Sequence, residues 1–126
     1  MPRITYFAVE DLVDPELRCA LRNAARSGTP LPESQAVRAH VPEVLRAYSR
    51  AWERVYRHGV CDQEIKELCR CAVVRDEVEP RDERERAAVD YALAIANDPL
   101  AADDALWARL HDRFTDAELV ELGWFV

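Results

Sequence analysis

The chain has 126 residues, 49% hydrophobic and 33% charged, with three glycines and a net charge of −7. That length suits a single domain, residues 1–126, able to bury roughly two thirds of the surface that an unfolded chain exposes, with no room for a second. Basic residues are scattered among acidic ones rather than gathered into a stripe, which argues against nucleic acid as a partner, because phosphate binding relies on clustered Lys and Arg.

No segment approaches the ~18 consecutive apolar residues of a membrane span, so no membrane partner is expected. The opening "MPRITYFAVEDL" lacks the basic-then-apolar order of a secretory signal. A cytoplasmic setting follows, in which Cys19, Cys61, Cys69 and Cys71 stay mainly as thiols. Their spacings of 42, 8 and 2 fit neither a zinc site nor a secreted disulfide framework, so neither metal nor any other cofactor is expected.

Few glycines and recurring Ala, Leu, Arg and Glu favour helix throughout, and the expected class is all-α with about six helices. The first opens at Asp14, whose carboxylate caps free amides beside Pro15, and stops near Gly28. "SGTPLPES" reads as a loop. From Pro42 to Gly59, Val44, Leu45, Tyr48, Trp52, Val55 and Tyr56 share one side of a long amphipathic helix. Asp62 starts the next, "QEIKELCRCAVVR", whose apolar stripe is Ile65, Leu68, Cys69 and Ala72. Glu67, Cys71 and Val74 fall opposite, so this helix is expected to be covered on both sides.

Asp82 with Glu85 opens a further helix that Asn97-Asp98-Pro99 ends, Asp103 or Asp104 begins another, and Thr115-x-x-Glu118 is a capping box for the last. The block Arg75 to Arg86 reads as a solvated surface. Trp124, Phe125 and Val126 form an apolar end expected to pack into an oligomer or against protein beyond it.

Cys69 and Cys71 do not read as a redox pair. Two residues on a helix differ by ~200° in direction, so their thiols point to nearly opposite faces. Cys69 reads as a small core residue. Glu67 and Cys71, four apart, share a face. A carboxylate there can take a thiol proton, with Arg70 or Arg75 favouring the thiolate, yet its own charge opposes ionisation. The plainer reading pairs Glu67 with an arginine. His40, His58 and His111 share no ligand spacing and read as structural.

The stretch "RAHVPEVLRAYSRAWERVYRHGVCDQEIKELCRCAVV", Arg38 to Val74, resembles the helical hairpin of the carboxymuconolactone decarboxylase-like proteins, which include the alkylhydroperoxidase AhpD. "DERERAAVDYALAIANDPLAADDALWARLHDRFTDAELVELGWFV", Asp82 to Val126, is similar to that family's closing helices. The resemblance implies an all-α AhpD-like helical bundle that assembles as a trimer, hexamer or dimer, with Glu67 and Cys71 as the site residues to carry over. In many relatives a CxxC pair begins twelve residues after the matching glutamate, whereas here Glu79 and Asp82 stand at those places. Only "RDEVEP" separates Val74 from Arg81, where relatives run through another helix.

Two readings follow. One is a redox-silent helical homo-oligomer that retains a small-molecule or partner-binding site. The other, which requires a CxxC segment between Val74 and Arg81, is a thiol-dependent hydroperoxide reductase or a decarboxylase-type enzyme. The residues favour the first.

Overall fold

The structure is a computed structural model that describes residues 3–75 and 77–126; the Arg75 side chain and Asp76, within the charged block, lie outside that description. Among the described residues there are seven α-helices and no strand: α1 Pro15–Ser27, α2 Pro32–Arg38, α3 Pro42–His58, α4 Gln63–Arg75, α5 Glu83–Asn97, α6 Asp104–His111 and α7 Asp116–Phe125. Short 3-10 turns at Val9–Asp11 and Pro99–Ala101 complete the regular structure. None of these helices is long and apolar enough to cross a membrane.

Local chemistry sets the helix ends. Asp14 accepts from Glu16 N at 2.8 Å, Asp82 from Glu85 N at 2.8 Å and Asp103 from Leu106 N at 2.9 Å, each satisfying an amide that its helix leaves free. Thr115 and Glu118 close a reciprocal capping box on α7, with Thr115 N donating to Glu118 Oε2 at 2.7 Å. Gly28 ends α1 at a φ of 71°, in the left-handed region open to glycine. The reading of "SGTPLPES" as a loop holds for residues 28–31, but α2 begins at Pro32 and takes its last three residues. Pro32 sits in the first turn of that helix, where its missing N–H costs nothing, so the proline starts a helix instead of breaking one.

The chain packs as two compact units, Met1–Arg54 and Val55–Val126, and the division falls inside α3. In the first, Leu12, Leu17, Leu21, Ala39 and Leu45 form the core. Gln35 is buried among them without loss, since its amide donates to Ser49 Oγ at 3.0 Å and accepts from Arg38 Nη1 at 2.9 Å. Val44, placed on the apolar side of α3 by spacing, is exposed.

In the second unit α5 packs against α4, α6 and α7. Ala87, Ala88, Ala92 and Ala94 are buried along α5, and side chains this small let three helices approach one backbone. Ile65, Cys69 and Ala72 of α4 meet Leu106, Leu110, Leu119 and Leu122 there, each buried leucine contributing about 2 kcal/mol of apolar transfer. On the side of α4 opposite the apolar stripe Val74 is 68% exposed, while Glu67 and Cys71 are partly buried, so that side is covered only in part. Phe125 is 5% exposed and stacks on Tyr56 at 6.2 Å, whereas Trp124 stays 44% exposed.

Candidate functional site

α4 carries both residues singled out from the sequence. Glu67 and Cys71 lie one turn apart, both partly buried, while Cys69 between them is fully buried. Burial pushes the Cys69 thiol up to about 12, with the neighbouring Cys61 and Glu85 adding to it. Cys61, at the turn before α4, is likewise pushed up to about 11 by burial and then by Glu118. Both are therefore neutral apolar packing groups at physiological pH. Among the described residues no hydrogen bond reaches the Cys71 thiol, and all four cysteines are unbridged.

Glu67 has a crowded carboxylate. Arg70 Nε donates to Oε2 at 2.9 Å, its Nη2 lies 2.9 Å from the same oxygen as an ion pair, and Gln63 Nε2 reaches Oε1 at 3.4 Å. The Tyr56 hydroxyl, near the end of α3, is a further hydrogen-bond partner of Glu67. Burial, then the negative charge of Glu67 and that hydrogen bond, raise the Tyr56 pKa, so the phenol stays protonated and donates. The bonds of Glu67 thus run to Arg70, Gln63 and Tyr56, with none to Cys71. Its pair with Arg70 is half exposed and worth only about 0.5 kcal/mol.

Gln63 links this cluster to a cleft. Its amide nitrogen faces Glu67, and its Oε1 is buried without a donor. The same side chain lines a cleft of about 390 Å³ between the starts of α4 and α5, together with Asp62, Glu64, Arg81, Arg84 and Glu85. The two cations there are already engaged. Arg81 binds Glu85 Oε1 at 2.6 Å and Glu64 Oε2 at 3.2 Å, and Arg84 binds Asp62 Oδ2 at 2.7 Å and Glu118 Oε1 at 3.2 Å. Glu85 is 6% exposed, so the charged block read from sequence as solvated contains a buried carboxylate.

A second polar centre lies on the other side of α4. Lys66, the chain's only lysine, is 1% exposed and donates to the Val55 carbonyl and, at 3.3 Å, to Glu121 Oε2. Glu121 also accepts from Val60 N at 2.9 Å and Cys61 N at 2.7 Å. Neither residue was a site candidate from sequence. Helix period gives no signal for Lys66, which at 100° per residue stands about 60° beyond Cys69 and outside the arc of Ile65, Leu68, Cys69 and Ala72.

The histidines have other contacts. His40 meets the Thr5 carbonyl at 2.7 Å, His111 lies 3.5 Å from Asp116, and His58 is the exposed last residue of α3. Among the described residues, no three or more His, Cys, Asp or Glu side chains are grouped to hold a metal ion. Comparison with models of known protein families, with curated proteins and with solved structures finds no match to this chain.

Proposed function

We propose that this chain is a redox-silent relative of the AhpD-like, carboxymuconolactone decarboxylase-like proteins: a helical homo-oligomer that keeps a small-molecule or partner-binding site at Glu67 and Cys71 but has no dithiol centre. The placement of Cys69 and Cys71 carries the reading. Thiol peroxidase chemistry needs a thiolate and a resolving sulfur within bonding reach, with Cα atoms ~4.4 to 6.8 Å apart and side chains facing each other. Here one sulfur is sealed in the core with its thiol pushed up to about 12, while the other is part-exposed on the far side of the same helix.

The α4 face supports the binding role. Arg70 and Tyr56 hold Glu67 in one orientation, and the buried Gln63 Oε1 offers an acceptor with no donor, which a ligand N–H or O–H would satisfy. The resemblance over Arg38–Val74 and Asp82–Val126 supports self-association, whereas Phe125 of the apolar end packs on Tyr56 within the chain.

The deciding experiment is a hydroperoxide reduction assay with a thiol reductant, on protein whose intact mass equals that of the 126-residue chain. We expect no turnover above a Glu67→Gln control. Robust turnover that depends on Glu67 would establish the thiol-dependent reductase instead. For assembly, hydrodynamic sizing that finds only monomer at micromolar concentration rejects the oligomer.

A further inference from the structure

We infer that the Gly59–Cys61 turn and Lys66 together form a carboxylate-binding site, which Glu121 fills as a ligand in cis, and that once the Glu121 carboxylate is removed the site takes a small free monocarboxylate. Three features converge. First, two consecutive amides fork onto the two oxygens, Val60 N to Oε1 at 2.9 Å and Cys61 N to Oε2 at 2.7 Å, the arrangement in which a backbone nest grips an anion. Second, a cation stands behind them. Lys66 is 1% exposed, is fixed by the Val55 carbonyl and the Phe125 ring 5.7 Å away, and aims its ammonium at Oε2 from 3.3 Å.

Third, Gly59 leaves the space. A Cβ at this position would collide with the Glu121 carboxylate, although the backbone there has no positive φ that would itself call for glycine. Glycine is needed for close approach by the anion. The Lys66 and Glu121 side chains are 1% and 12% exposed, so the two charges have little access to water, while Val60 on the outer edge of the turn is 61% exposed. Only an anion with two oxygens satisfies the set; a hydroxyl or an amide would leave a buried ammonium without a counter-charge.

The geometry also defines a probe. Glu121→Ala removes the Cγ, the Cδ and both oxygens, the heavy atoms of acetate, and leaves the three donors in place. The experiment is thermal unfolding of the full chain at neutral pH, in sodium acetate against sodium chloride at matched ionic strength. In Glu121→Ala, acetate is expected to raise Tm saturably, by about 4 °C or more over chloride. Wild type, whose site is filled, and Glu121→Gln, whose amide fills the same volume, are expected to show no such difference. If Glu121→Ala is unfolded in chloride, the same titration followed by far-UV ellipticity reads refolding by acetate. The inference is overturned if acetate and chloride act alike on Glu121→Ala, or if acetate raises Glu121→Gln or wild type by the same amount.

Discussion

Cys69 and Cys71 stand two residues apart on α4 in opposite environments, the first fully buried and the second partly open to solvent. Reactivity should divide accordingly. At about pH 8 a thiol pushed up to about 12, as Cys69 is, or to about 11, as Cys61 is, exists as thiolate to only about one part in a thousand or less. Brief treatment of the native protein with iodoacetamide should therefore modify Cys19 and Cys71, leaving Cys61 and Cys69 for reaction after unfolding. Peptide mapping reads the pattern, and equal labelling of Cys69 and Cys71 would contradict the packing of α4.

Glu85 makes the second unit acid-sensitive. Its pKa is lowered, first by hydrogen bonds from the Arg81 guanidinium and then by the Arg81 N–H, which donates at 2.7 Å. A carboxylate with a depressed folded-state value stabilises the fold above its ordinary 4.5 and loses that contribution as pH falls through the folded value. Glu85→Gln should thus lie below wild type in Tm at neutral pH, with the gap narrowing as the pH drops below 4.5. A gap that is constant across this range would show that the ionised form contributes nothing.

Two glycines should respond to alanine for different reasons. At Gly28 an added Cβ meets nothing within 4 Å, but the φ of 71° is strained for an L side chain, so Gly28→Ala should cost about 1 kcal/mol. At Gly59 the collision is with a carboxylate that three donors hold in place, and the methyl must displace it or move the turn. We expect Gly59→Ala to cost about 2 kcal/mol or more by urea denaturation. Combining it with Glu121→Ala, which removes the obstacle, should add less than the sum of the two single losses.

Leu122 and Val120 provide a core-to-surface comparison on one helix. Leu122 is fully buried against α5, and Leu122→Ala should lower stability by about 3 kcal/mol, through lost transfer energy and the cavity left behind. Val120, at 73% exposed, should tolerate alanine within about 0.5 kcal/mol. Comparable losses at the two positions would mean that the exposed face of α7 is covered in solution.

The candidate site was only partly legible in advance. That Glu67 and Cys71 share a face, and that Cys69 turns away, follows from helix period alone, and both hold in α4. The partners that fix Glu67 divide by distance along the chain. Arg70 and Gln63 lie within one turn, where spacing can find them, whereas Tyr56 reaches Glu67 from the end of another helix. Lys66 and Glu121 meet across a separation of 55 residues, a distance over which periodicity carries no information about a pair.

What the sequence by itself determined is the set of helix starts and stops and the faces to be buried. Asp14, Asp82, Asp103 and Thr115 each bond amides within a few residues, so their effect is written locally. α2 escaped because proline has two opposite meanings, breaker and first-turn residue, and the choice between them at Pro32 is not a local one. Tertiary structure alone decided which charges are buried. A lysine reads as solvent-facing until a partner arrives to neutralise it, and Glu121 is brought to Lys66 by packing across 55 residues, whereas Arg81 stands only four residues from Glu85 and it is the burial of that local pair that the fold decides.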